Sequence, residues 1–256
     1  MSHGVEAMPL ITVPAATSHI RLLNGFEVWV RGDAVLVNVG SQRLVVFLAL
    51  HRGPLRRSHV AGTLWPDVPA DRSSANLRAS IWRLPVSCRG LIDISARHVR
   101  LAADVTVDFL AAVTRARRLI DRSADCDEYD LSERARAELS SELLPASYDD
   151  WVLLERERFR QLRLHALEAL CERLTASGRY AEAIDAGLAA VCAEPLRESS
   201  HRVLINAHLA EGNNAEARRQ YELYRRVMRD ELGAEPSRGL HDRMIQVCGA
   251  GRYGRQ

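Results

Sequence analysis

The chain has 256 residues, 47% hydrophobic and 27% charged, enough for two soluble domains with separate cores, and no apolar run reaches the length that spans a bilayer. All 35 basic residues are arginine, which excludes a Walker phosphate loop, a Schiff-base lysine and a kinase-type ATP-anchoring lysine. The five cysteines, Cys88, Cys126, Cys171, Cys192 and Cys248, have no ligand spacing, so no zinc site, disulfide framework or other cofactor is expected, and a reducing, cytoplasmic setting fits.

Residues 1–18 read as a disordered lead-in, because Pro9 and Pro14 interrupt the mildly apolar stretch and no basic segment precedes it. From Ile20 the pattern alternates. Phe26, Val28 and Val30 share one face, Gly32-Asp33 makes a turn, and Val35, Val37 and Val39 return as a second strand. Ser41 is placed to cap a helix whose Leu44, Val45, Phe47, Leu48 and Leu50 are spaced for burial. Ser58 caps a second helix reaching Leu64-Trp65, and Pro66 and Pro69 close it with a short stiff loop.

A third helix is expected from Ser73 to Leu84, stopped by Pro85, with Leu77, Ile81 and Leu84 as its core stripe. Its other faces carry Arg72, Asn76, Ala79, Trp82 and Arg83, with Arg78 and Ser80 at the sides. Leu91 to Ile94 and Val99 to Leu101 then read as two strands joined around Ala96-Arg97-His98. Strands, three helices and a hairpin are the order of a winged helix with an added N-terminal sheet.

Beyond Asp104 the periodicity is helical, with a polar loop from Asp121 to Tyr129 and a long helix from near Asp150-Trp151 to about Ser177. Asp149 and Asp150 suit the positive end of that helix. Gly178-Arg-Tyr-Ala-Glu-Ala183 returns 34 residues later as Gly212-Asn-Asn-Ala-Glu-Ala217, the period of the tetratricopeptide repeat, in which stacked helix hairpins bury a shared core. A last helix from Ser237 to Val247 caps the stack, and residues 249–256 read as a flexible tail. The fold class is therefore mainly α: an N-terminal α/β winged helix-turn-helix over 19–103, followed by an all-α tetratricopeptide-like helical repeat domain over 104–248.

Charge divides along the same line. Residues 20–103 hold 12 arginines against 5 acids, a balance of +7, while residues 104–248 hold 21 against 27, a balance of −6. A basic module joined to an acidic one suggests a polyanion-facing domain and a partner-facing domain. On the third helix, Arg72, Asn76, Arg78 and Arg83 have the chemistry to pair with guanine and adenine edges in a major groove, while Ser73 and Ser80 suit phosphates. A plain solvated surface is the bland alternative for such a helix. Trp82 either packs against the wing strands or the second helix, or touches thymine methyls or sugar. Arg56, Arg57 and Ser58 at the start of the second helix suit phosphate contact, and Arg97 at the hairpin tip suits a minor groove. No H-E-x-x-H, G-x-S-x-G or glycine-rich nucleotide loop is present, so no catalytic residue is assigned and an enzyme is not expected; His165, His201 and His208 read as surface or packing residues.

Tyr148-Asp-Asp-Trp-Val-Leu-Leu-Glu-Arg-Glu-Arg158, its continuation Leu162 to Leu170, Ala193-Glu-Pro-Leu-Arg-Glu198 and Asp230-Glu-Leu-Gly-Ala-Glu-Pro236 resemble the bacterial transcriptional activator domain. Asn76-Leu77, Ile81 and Arg83-Leu84 match the recognition-helix pattern of an OmpR-type winged helix. Together they resemble the Streptomyces antibiotic regulatory protein family in its short form. The resemblance implies a cytoplasmic, nucleoid-associated activator of secondary-metabolite (antibiotic) gene clusters. Such an activator binds double-stranded promoter DNA as a homodimer on direct repeats near the −35 element. It recruits RNA polymerase through the sigma factor and alpha subunit, with Trp65, Asp67 and Asp71 facing polymerase by position. Two features depart from the family: Arg97-His98-Val99-Arg100-Leu101 replaces the usual Gly-Tyr-Arg-Leu wing end, and Pro85 shortens the recognition helix. No receiver domain is read, so control by phosphorylation in cis is not expected. Two other readings stand beside this one, a protein-binding adaptor that uses the winged helix as a docking surface and a sensor with a small molecule in the concave helical stack.

Overall fold

A computed structural model describes residues 18–51 and 53–250, with backbone alone beyond residue 246. Of the expected lead-in 1–18 and tail 249–256, residues 1–17 and 251–256 lie outside the described residues, while Ser18 belongs to the first strand and residues 249–250 to the last helix. The chain forms two compact units, one taking the chain up to Arg21 together with Phe26–Val107, the other Leu22–Gly25 together with Asp108 onward.

In chain order the first unit comprises β1 (Ser18–Arg21), β2 (Glu27–Val30), β3 (Asp33–Ala34), α1 (Val39–Leu50), β4 (Leu55–Arg56), α2 (Arg57–Leu64), α3 (Ala70–Trp82), a 3-10 turn at Val86–Leu91, β5 (Ile92–Ile94), β6 (His98–Leu101) and β7 (Val105–Val107). Two sheets flank the helices, in the orders β3-β2-β1-β7 and β4-β6-β5. β1 runs antiparallel to β2, with Ile20 opposite Val28, and parallel to β7, with Ser18 opposite Val105. By contacts the first unit runs to Val107, four residues past the expected boundary after residue 103, because β7 pairs with β1 in its sheet.

The hairpin turn falls at Arg31-Gly32 rather than Gly32-Asp33. Both residues have positive φ, 54° and 93°, as a tight two-residue hairpin turn of matching twist requires. The expected return strand through Val39 ends at Ala34, since Asn38 opens α1 by accepting the Ser41 N–H at 3.1 Å. Asn38, not Ser41, is therefore the cap. Leu44 to Leu50 are all buried, and with Ile20, Val28, Val60, Leu64, Leu77, Leu91 and Val99 they form the first core. A helix apolar on every side belongs inside, and α1 does.

The second unit comprises α4 (Asp108–Ile120), α5 (Glu133–Ser140), α6 (Asp150–Ala176), α7 (Tyr180–Ala193), α8 (Glu198–Glu211), α9 (Asn214–Leu232) and α10 (Arg238–Ala250). The Leu22–Gly25 segment joins it because the Asp108 carboxylate accepts the Leu22 and Leu23 N–H groups at 2.8 and 3.2 Å, and the Asn24 N–H donates to the Glu142 carbonyl at 2.7 Å. The polar loop after α4 is held from beneath. Buried Asp130 accepts from Arg118 at 2.6 Å and lies 3.6 Å from Arg115, whose guanidinium also pairs with Glu138 and sits over the Tyr129 ring.

The repeat echo has a physical basis. Gly178 and Gly212 take left-handed φ values of 76° and 88° where one helix ends and the next begins, a conformation that costs glycine no Cβ clash. Ala183 and Ala217, at the same place in each copy, are fully buried where helices cross. At Gly187 a Cβ would lie 3.0 Å from the Leu204 Cβ, so α7 and α8 pack as closely as the missing side chain allows.

Candidate nucleic-acid interface

The third helix of the first unit is held at its C-terminal end by the start of α1. The Ser41 hydroxyl donates to the Ser80 carbonyl at 2.7 Å, and the Asn38 side-chain amide donates to the Arg83 carbonyl at 3.1 Å. Ser73, Leu77, Ser80 and Leu84 face inward at helical spacing. Ser73 and Ser80 are thus not phosphate contacts, being only 3% and 6% exposed. Their small side chains let α3 lie close to its neighbours, and the Ser73 hydroxyl is spent on the Ala70 carbonyl at 3.0 Å.

The outward line of α3 is Asp71, Ala75, Arg78 and Trp82, all exposed, with Arg72 and Arg83 exposed beside it and Asn76 half-buried. Among the described residues, Arg72, Arg78 and Arg83 make no ion pair with a carboxylate. The packing alternative for Trp82 fails, because the indole is 77% exposed. The helix also begins three residues earlier than expected and ends at Trp82, which leaves Arg83 in the cap position just past the helical turn. Asp71 accordingly stands on the first turn of α3, near its positive end, and not on the preceding loop. That loop keeps Trp65, half-buried, and Asp67, exposed.

Ser58 does not cap α2; the cap residue is Arg56, and no side chain closes that helix end. Arg56 and Ser58 are exposed. Arg57 is half-buried and turned to the wing instead, its N–H donating to the Arg97 carbonyl at 2.9 Å and its guanidinium reaching the Ser95 carbonyl at 3.5 Å. The wing turn is closed by Ser95, whose hydroxyl accepts the His98 N–H at 3.0 Å, and Arg97 is exposed at its tip. Arg100 on β6 pairs with Asp93 at 2.9 Å, so one wing cation is already neutralised. Asn38 and Ser41 are the residues that sequence reasoning assigned no part in placing α3. An Asn-x-x-Ser step before an apolar run is a signal for the cap, but not for the second helix it reaches.

In the second unit the family-like motifs hold structure. Arg156 donates to the carbonyls of Leu143, Leu144 and Ser147, clamping the turn before α6. Glu168 accepts from Arg197 at 2.7 Å, Ser199 at 2.5 Å and Ser200 at 3.0 Å. Burial pushes its carboxyl upward, and the hydrogen bonds from Arg197, Ser199 and Ser200 with the Arg197 charge outweigh that, leaving it below the usual range. Glu157 is held at about 2 by hydrogen bonds from Arg160 and Gln161. His165 is exposed beside Arg197, and His208 is half-buried. Burial holds the Cys171 thiol up at about 12, an unreactive value. Among the described residues no group of three or more His, Cys, Asp or Glu is placed to hold a metal, and no helix is long and apolar enough to cross a membrane.

Residues 104–247 match the family described as the bacterial transcriptional activator domain. Regulatory protein AfsR of Streptomyces coelicolor is 29% identical over 240 residues, covering 90% of this chain and 24% of the relative. Its counterpart in Streptomyces griseus is 29% identical over 241 residues, covering 88% and 24%. The chain therefore spans about a quarter of the length of these curated relatives. Among solved structures, Mycobacterium tuberculosis EmbR, in complex with a low affinity phosphopeptide, superposes with a TM-score of 0.66 over 91% of this chain and 65% of that one, at 19% identity. That likeness is one of fold.

Proposed function

The chain belongs to the bacterial transcriptional activator domain family, as a regulator of the Streptomyces antibiotic regulatory protein type, and on that premise we propose that it binds promoter DNA through α3 and activates transcription of a secondary-metabolite gene cluster. One observation carries the reading: the outward line of α3 and its flanks place Arg72, Arg78 and Arg83 in solvent without a carboxylate partner, within residues 20–103, whose charge balance is +7. An unpaired guanidinium fork on a helix matches the O6 and N7 acceptors of guanine, and Asn76 matches adenine. In this reading Arg56 at the start of α2 supplies phosphate contact and Arg97, exposed at the wing tip, enters a neighbouring minor groove.

In this reading the acidic second unit supports a homodimer on direct repeats about one helical turn apart near the −35 element. Trp65 and Asp67 on the loop before α3 face RNA polymerase, with the sigma factor and alpha subunit as the surfaces recruited. The protein works in the cytoplasm, at the nucleoid.

Protection mapping on the DNA around the gene, followed by mobility shifts at 50 and 200 mM salt, tests this. A short protected direct repeat and binding that weakens steeply with salt are expected, since each phosphate neutralised releases counterions. Equal affinity for unrelated duplexes at every salt concentration would sink the reading.

A further inference from the structure

Trp82 is the least expected residue on the outward line of α3. A tryptophan 77% exposed at the end of a helix, with Arg78 one turn before it and Arg83 next to it, loses favourable burial in the free protein. Among the described residues of its unit, nothing covers it. Spacing aligns it with Arg78, one turn earlier on the same line, so the two side chains project side by side, about 6 Å apart along the helix axis. Laid along a groove, that offset is about two base-pair steps.

The surrounding charge selects the occupant. Arg56, Arg72, Arg78, Arg83 and Arg97 are all exposed in this unit, Arg78 and Arg83 next to the indole in the helix; Asp93 is engaged by Arg100 and exposed Asp71 lies at the opposite end of α3, so the C-terminal end of the outward line is complementary to a polyanion. In the major groove the apolar group that a base pair offers is the C5 methyl of thymine. We propose that Trp82 is a specificity-determining residue that reads a thymine C5 methyl in the operator, about two base-pair steps from the base pair read by Arg78. This rests on the DNA-binding reading and adds to it one base preference and the atom that carries it.

The test uses the full chain and its protected operator. Each thymine is replaced in turn by deoxyuridine, which removes the methyl and leaves every hydrogen-bonding group in place. With the unaltered protein, one or two positions bind about fourfold more weakly, the effect of exposing one methyl-sized group. Trp82→Ala binds the unmodified operator more weakly and no longer distinguishes thymine from deoxyuridine at those positions, while Trp82→Phe keeps part of the discrimination. An unchanged thermal melt confirms that these exposed-site variants fold. If the unaltered protein binds but no deoxyuridine position matters, as for an indole resting on sugar or phosphate, the proposal is overturned alone. The same holds if Trp82→Ala discriminates as well as the unaltered protein. Absence of salt-sensitive duplex binding overturns the DNA-binding reading and this proposal together.

Discussion

The hydroxyl of Ser41 donates to the carbonyl of Ser80 at 2.7 Å, and both residues are buried. The last carbonyls of a helix lack intrahelical partners, and α3 ends at Trp82, so the Ser80 carbonyl is one of those left over. The first turn of α1 supplies its partner, while the Asn38 amide serves the Arg83 carbonyl. Asn38 thus caps one helix with its side-chain oxygen and another with its nitrogen, and with Ser41 it holds α3 against α1.

Replacing Ser41 by Ala removes the donor and leaves a buried carbonyl unsatisfied. The expected cost is about 1–2 kcal/mol in urea denaturation. With α3 reading the operator as proposed, operator affinity should also fall although residue 41 is fully buried, because α3 keeps only the Asn38 bond of the two that hold its end. Unchanged stability would show that water or another donor replaces the hydroxyl.

Arg78→Ala and Arg56→Ala separate base reading from phosphate contact. The first is expected to weaken the cognate operator by about 1–3 kcal/mol while leaving binding to unrelated duplex nearly unaltered. The second should weaken all duplexes alike and reduce the salt slope by about one. Arg83→Ala is expected to follow Arg78, with a smaller loss because Arg83 lies in the cap position past the helical turn. Mobility shifts on cognate and scrambled DNA check each; identical profiles for Arg78→Ala and Arg56→Ala would remove the distinction.

The order of elements was legible because local patterns state it: alternation for the sheet, helical stripes bounded by proline, and a 34-residue echo with glycine at each helix end. Two placements on α3 were less legible. Ser73 and Ser80 looked like surface polar residues by type, although each stands four residues before a core leucine, Leu77 and Leu84, on one helical face; residue type outweighed spacing in that reading. Trp82 was open between packing and contact with DNA, since a large apolar residue is ordinarily core, and only the fold shows that among the described residues it stays 77% exposed. The cap at Asn38 was missed for a smaller reason. Ser41 is also a good cap residue, and the two compete three residues apart.

Glycine substitutions test the packing of the repeat. Gly187→Ala brings a Cβ within 3.0 Å of the Leu204 Cβ and 3.2 Å of its Cα, and backbone cannot swing aside as a side-chain tip can. A loss of about 1–3 kcal/mol is expected. Gly62→Ala in α2 serves as the contrast, because its Cβ meets nothing within 4 Å and alanine is the better helix former, so a gain of about 0.5–1 kcal/mol follows. Denaturation midpoints moving in the same direction would contradict the close α7–α8 crossing.

His201 gives the second unit a pH dependence whose sign can be worked out. Its ring is buried, stacked on Tyr224 with centroids 4.2 Å apart; Nε2 lies 2.9 Å from the Pro195 carbonyl and Nδ1 lies 2.8 Å from the Gln220 amide nitrogen. The carbonyl can only accept, so Nε2 carries the hydrogen and Nδ1 receives the amide N–H. A second ring proton would set donor against donor. Burial lowers the pKa from 6.5, with the Pro195 bond and the Glu198 charge opposing it more weakly. Below about pH 6.5 the unfolded chain therefore takes up a proton that the folded chain refuses. Stability is full above that value and falls as pH drops toward the lowered folded pKa, with a slope of at most about 1.4 kcal/mol per pH unit. His201→Gln, neutral throughout, is expected to be less stable at pH 7.5 but to have a flatter profile between pH 6.5 and 5.5. Urea titrations of both proteins across that window decide it: curves that stay parallel would mean that another group carries the dependence.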